Sequence, residues 1–223
     1  VGVGCGIMDQ VASGAGVAGH ALLLDCRSLA VDPIAIPAGL SIIVMDTGIR
    51  RSLGTTEYDT RRKACNGALD AARRRHPDVR TLRDVDPALL EAIRSELDVT
   101  AYRRVAHVVA ENARPAQLAA AFAVGNYERA GDLVNASHTS LRDLYEVSSP
   151  ELNFVTNLAR RTSKCYGARM TGAGFGGSAI ALVASEAAGA FAAEVSATYR
   201  AEGSAEGQFF TCHPADGASL LTV

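Results

Sequence analysis

Residues 169–183 read "RMTGAGFGGSAIALV", and the element that follows the glycines decides the fold. Four glycines between Gly172 and Gly177 allow a tight turn whose backbone amides are free to face an anion or a neighbouring loop. A dinucleotide-binding glycine fingerprint follows a strand and opens a helix. Here the glycines run into "SAIALVAS", a short apolar stretch of strand character, so the loop opens a strand and the dinucleotide reading fails. A plain glycine turn at a sheet edge or bulge remains the alternative to a functional loop, and the pattern supports both.

Outward from this loop, strand patterns fall at "HALLLDCRS" (20–28), "DPIAIPA" (32–38), "LSIIVMDTG" (40–48) and "GQFFTCHPA" (207–215). "CGIMDQVASGAG" (5–16) reads as a short helix begun after Gly6 and stopped by Gly14 and Gly16. "TTEYDTRRKACNGALDAARRRH" (55–76) has helical spacing at Cys65, Leu69 and Ala72, with Thr55 or Thr56 as candidate N-cap. The middle of the chain is helical. Asp86 caps a helix with Pro87 at its first position, further helices run to residue 147 with breaks near Pro115 and Gly125, and "SSP" at 148–150 starts another. A last helix covers 186–203. Strand, helices, strand, helix, strand predicts an α+β fold with helices packed on an antiparallel sheet.

A chain of 223 residues with 48% hydrophobic residues can bury a sizeable core in one large domain or two small ones. Twenty-two basic and 24 acidic residues leave a formal charge of -2, which offers no electrostatic case for nucleic acid or an anionic membrane as partner. No G-x-x-x-x-G-K-[ST] occurs. Five cysteines, odd in number and without zinc-binding spacing, fit reduced thiols in a cytoplasmic protein. Neither a membrane-length apolar run nor a signal peptide is visible, and a start at Val1 without Met sets the expectation of preceding sequence.

Single residues stand out beside the glycine loop. Asp9 falls in the first turn of the first helix, where the helix dipole favours a carboxylate. That is a common structural placement, but Ile7, Met8 and Val11 predict a dry neighbourhood in which the acid could serve as general base for a hydroxyl. Tyr58, in the first turn of the 55–76 helix, is either an ordinary half-buried residue or a phenol offered to a polyol. Glu57 and Arg61, at i,i+4, suggest a solvated pair. The five histidines have no ligand spacing and default to surface or satisfied structural roles. Ser178 lacks the G-x-S-x-G context of a hydrolase.

Taken together, "CGIMDQ", "TEYDTRR", "HVVAEN", "SHTSLRDLYEVSSPEL" and "RMTGAGFGG" resemble, in order and spacing, the galactokinase branch of the GHMP sugar and metabolite kinases. The resemblance spans essentially the whole chain. It implies transfer of the γ-phosphoryl of ATP, with Mg²⁺, to the C1 hydroxyl of α-D-galactose. Asp9 matches that family's catalytic aspartate, Gly6 a glycine lining the sugar site, and Tyr58 a tyrosine on a sugar hydroxyl. Gly172, Gly174, Gly176 and Gly177 match its third motif, a loop supporting the active site. The implied fold has two lobes: residues 1–38 as the tail of the first, carrying Asp9, and residues 39–223 as a ferredoxin-like C-terminal domain.

The family's first motif and its phosphate-cradling second motif do not occur in these residues, nor does the acidic Mg²⁺ partner expected before Asp9; Ser178 stands where a cysteine is common. The main ATP and Mg²⁺ ligands are therefore expected outside this chain, which taken alone could be inactive. Leu22–Leu24 are expected to expose apolar faces. Related kinases acting on N-acetylgalactosamine or arabinose, and a non-catalytic sugar sensor of the same fold, are the alternatives. Oligomeric state is not readable from the sequence.

Overall fold

A computed structural model of the protein describes residues 6–50, 55–202 and 206–219, the side chains of residues 55–59 excepted. The chain opens with α1 (Met8–Ala15) and an antiparallel hairpin of β1 (His20–Leu24) and β2 (Val31–Ala35), in which Leu22 faces Pro33. All five β1 residues, Leu22–Leu24 included, are half-buried rather than exposed. They turn towards α5 (Arg114–Ala123) and towards a cavity under α1.

The main sheet has the order β4-β5-β3-β6, every pair antiparallel. Its strands are β3 (Leu40–Asp46), β4 (Cys165–Met170), β5 (Ser178–Ala184) and β6 (Gln208–Cys212). Alternation along β3 divides the apolar side chains between the two faces. Ile43 and Met45 pack with Leu152 and Val155 of α7 (Pro150–Arg161) and with Phe191, Val195 and Tyr199 of α8 (Ala188–Glu202). Leu40 and Ile42 join a second cluster with Phe122 of α5 and Val134 of α6 (Tyr127–Ser140). Ala68, Ala72, Ile93 and Val105 build a third among α2 (Thr55–Arg75), α3 (Pro87–Ala92) and α4 (Val99–Glu111). The α+β reading is thus the observed architecture. No helix among the described residues is long and apolar enough to cross a membrane.

Helix starts follow side-chain chemistry. Asp86 and Ser149 accept from the amides of Leu89 (2.8 Å) and Leu152 (3.2 Å), each ahead of a first-turn proline. Asp98 and Asn126 cap α4 and α6 in the same way. Thr55 and Thr56, the expected caps of α2, lie inside that helix.

β4 is an edge strand, and its outward backbone groups would be unpaired without help. Side chains supply the partners at every second residue. Asn135 donates to Tyr166 O (3.4 Å) and accepts from the Ala168 amide (3.0 Å). Arg160 donates to Ala168 O (2.6 Å), and the Met170 amide donates to Nδ1 of His138 (3.2 Å). Contact between α6 and β4 is close enough that a Cβ at Gly131 would lie 2.1 Å from the Tyr166 carbonyl oxygen.

His138 is fully buried. Because Nδ1 accepts from a backbone amide, the ring is neutral and Nε2 carries the proton, donated to the Thr156 hydroxyl (3.0 Å), which itself donates to Leu152 O (2.8 Å). His107 pairs with the Ser140 hydroxyl (2.8 Å) and stacks on Tyr145 with ring centroids 4.6 Å apart. Burial, assisted by neighbouring arginines, pushes the pKa of both histidines down to about 4. These two are satisfied structural histidines, as the sequence suggested.

Two outcomes follow. Gly131→Ala is expected to destabilise the protein by about 3 kcal/mol in urea unfolding, because backbone on both sides must move. For the histidines, the unfolded chain binds more protons than the native one between pH 6.5 and about 4. Their contribution is complete above pH 6.5 and is lost as pH falls through about 4, up to about 3 kcal/mol for each. Unfolding free energies measured from pH 7 down to 4 should fall accordingly, with His138→Asn lacking its share of the slope.

Candidate active-site loop and its supports

After Ser140, α6 continues into one π-helical turn, Leu141–Tyr145, and stops at Glu146, whose φ of 54° is left-handed. The last carbonyls of a helix have no intrahelical donor. Here arginines from two other helices take them in sequence. Arg103 of α4 donates to Asp143 O, Arg104 of α4 to Leu144 O, and Arg61 of α2 to Tyr145 O (2.9 Å) and Glu146 O (2.6 Å). Both α4 arginines also pair with the Glu146 carboxylate, which holds its pKa below the usual carboxylate value. Cations at the negative end of a helix are further favoured by its dipole.

The next carbonyl, Val147 O, accepts from the Phe175 amide (2.7 Å), the middle of the glycine loop. A Cβ at Gly174 would sit 2.1 Å from that same oxygen. Gly172, Gly174, Phe175, Gly176 and Gly177 all have positive φ, so the glycines are what the path of this loop demands. Gly177 donates to Ile49 O (2.9 Å), and its own carbonyl accepts from the amide (3.0 Å) and hydroxyl (2.6 Å) of Thr47. The Phe175 ring lies under the Arg61 guanidinium, 4.8 Å from its centroid. The amides of Gly172, Ala173, Gly174 and Gly176 have no backbone acceptor among the described residues, and Gly172 and Ala173 are exposed. The loop therefore turns some of its amides to neighbouring loops, as the Phe175 and Gly177 bonds show.

Arg61 departs from expectation. It is buried, 7% exposed, so the solvated setting is corrected; a guanidinium that finds two carbonyls and a ring face has reason to leave water. The Glu57 side chain lies outside the described residues, as does that of Tyr58. Arg103, Arg104 and the π turn were not singled out from sequence, although they lie in or beside the "HVVAEN" and "SHTSLRDLYEVSSPEL" stretches.

Asp9 is exposed in the first turn of α1. Its neighbourhood is not dry: Ile7 is 39% and Met8 56% exposed, and α1 has no buried residue. Gly6 is exposed with open space around its Cα. α1 is anchored at its far end, where Ala218 donates to Ser13 O (2.9 Å) and Gly217 to Gly16 O (2.8 Å). A cavity of about 400 Å³ beside it is lined by Met8, Val11, Leu22, Leu24 and Cys212. Among the described residues, no hydrogen bond or ion pair joins Asp9 to the glycine loop, and no group of three or more His, Cys, Asp or Glu could hold a metal ion.

Residues 118–201, from α5 through the glycine loop to α8, match the family model described as GHMP kinases C terminal. Over 221 residues, 99% of the chain, the sequence is 40% identical to a galactokinase of Roseiflexus sp. and covers 56% of it. It is 42% identical to a galactokinase of Chloroflexus aggregans over the same share of the chain, covering 57% of that protein. The crystal structure of Lactococcus lactis galactokinase complexed with galactose matches 99% of the chain at 35% identity with a TM-score of 0.90, and the match covers 57% of that structure. The chain therefore spans somewhat more than half the length of these relatives. The family match takes in the glycine loop and the strands on either side of it, and the alignments run through nearly every other residue, so the chain has the fold of the GHMP kinases and is similar to them along almost its whole length.

Proposed function

We propose that this chain is the sugar-side portion of a galactokinase, which phosphorylates the C1 hydroxyl of α-D-galactose at the expense of ATP. The observation that carries this reading is the near-complete alignment to galactokinases at about 40% identity, together with the TM-score of 0.90 to one in complex with galactose. Residues 1–38 form the end of an N-terminal lobe and residues 39–223 the C-terminal domain of the two-lobed kinase. Gly6, Asp9 and Tyr58 line the sugar subsite, with the loop of Gly172, Gly174, Gly176 and Gly177 supporting it. Free thiols at Cys26, Cys65, Cys165 and Cys212 support a cytoplasmic setting.

In this reaction the C1 oxygen forms a bond to the γ-phosphorus as the bond to the bridging oxygen breaks, ADP leaves, and the C1 hydroxyl proton passes to the Asp9 carboxylate. Catalysis is then mostly positioning and charge neutralisation. Among the described residues no group of three or more His, Cys, Asp or Glu would seat a metal ion, and Mg²⁺ would supply charge neutralisation at the transferring phosphoryl group. Exposure of Asp9 is compatible with the role, since a base must be reached by its substrate.

In the full-length protein, Asp9→Asn should lower kcat by at least ~10²-fold with galactose affinity largely kept, corresponding to the roughly 3–5 kcal/mol a general base contributes. Steady-state kinetics and calorimetric galactose binding measure both. Retained kcat removes Asp9 from the mechanism. A panel of galactose, N-acetylgalactosamine and arabinose distinguishes the related kinases, and sugar binding without turnover identifies a sensor.

A further inference from the structure

Arg61 joins three separate parts of the fold. Its backbone belongs to α2, one helical turn after Tyr58. Nε and Nη2 take the Tyr145 and Glu146 carbonyls, and the guanidinium plane covers Phe175 at the crest of the glycine loop. The residue after those carbonyls, Val147, receives the Phe175 amide. One buried cation thus clamps the turn and the loop together at the point where the loop backbone runs closest to its support, the Gly174–Val147 approach.

We infer that Arg61 is a positioning residue which sets the conformation of the glycine loop, coupling it to the helix that carries Tyr58. This rests on the kinase reading for its catalytic consequence but not for its structural one. A planar fork that bonds two carbonyls and lies flat on a ring is a task for guanidinium and not for an ammonium, which is a point charge. Arg61→Lys therefore keeps the charge and loses the clamp. Among the described residues, the backbone anchors of the loop's five positive-φ residues are the Phe175 and Gly177 amides and the Gly177 carbonyl.

Hydrogen exchange of the full-length protein reads the clamp directly. In Arg61→Gln and Arg61→Lys, the hydrogen-bonded amides of segment 171–178 (Thr171, Phe175 and Gly177) should exchange at least ~10-fold faster, while β3 and the body of β5 keep their wild-type rates. Phe175→Leu, which removes the ring and keeps both carbonyl bonds, should loosen 171–178 alone, and it carries the test if the Arg61 variants do not fold. Kinetically, kcat per folded molecule should fall ~10–100-fold in both Arg61 variants with the galactose KM within about threefold, since small misplacements cost rate more than affinity. Arg94→Gln, at an exposed pair with Glu91, is the control and should change neither. Unchanged exchange in 171–178, loss of protection spread evenly over the chain, or restoration of exchange and kcat by lysine each overturns the inference. If the wild-type protein phosphorylates no sugar, the function proposed above fails, and the exchange measurements alone decide the role of Arg61.

Discussion

Five consecutive carbonyls, from Asp143 to Val147, hold the centre of this structure together. They lie at the end of a helix, where the backbone has exhausted its own donors, and they are partly buried. Leaving a buried acceptor unmatched costs about 1–3 kcal/mol, so a run of them calls for donors from elsewhere. Arg103, Arg104 and Arg61 serve the first four, and the Phe175 amide the fifth. The Glu146 carboxylate moderates the accumulated positive charge. Helices α2 and α4, the π turn and the glycine loop therefore depend on one another through a single polar node.

The other end of the glycine loop depends on the β4 edge. Met170 is the last residue of that strand before the loop, and its amide is held by a histidine that must stay neutral to accept it. Asn135 and Arg160 hold the two positions before it. An edge strand satisfied by side chains is fixed in register against α6 and α7 as well as against its partner strand. The loop leaves the sheet at Met170 and lands on the node four to five residues later, at Gly174 and Phe175. This arrangement keeps glycine-rich backbone, with its large conformational entropy, in one shape.

Much of the framework was legible because its causes are local. Asp86-Pro87 and Ser149-Pro150 announce helix starts through a side chain and an amide three residues apart, and both caps are observed. The strand after Gly177 follows from composition within a few residues. The π turn was not legible, since "SHTSLRDLYEV" has continuous helical character and the widened turn is stabilised by arginines about forty and eighty residues away. Arg61 was misjudged for the same reason: its sequence neighbour suggested a surface pair, while its burial comes from a turn and a loop far along the chain. The dry surroundings expected of Asp9 failed differently. Ile7 and Met8 are apolar, but both remain exposed.

By itself, the sequence determined the α+β class, the helix starts, the strand that follows the glycines and, through its ordered motifs, the resemblance to the GHMP kinases. Each depends on residues close together in the chain or on the pattern of motifs along it. Only the tertiary structure decided which amides of the glycine loop are anchored and which are open, that Arg61 is a buried clamp, and that His107 and His138 are neutral struts. These follow from hydrogen bonds across dozens of residues of separation. In such bonds the cost of burying a polar group is set by the partner that the fold brings to it.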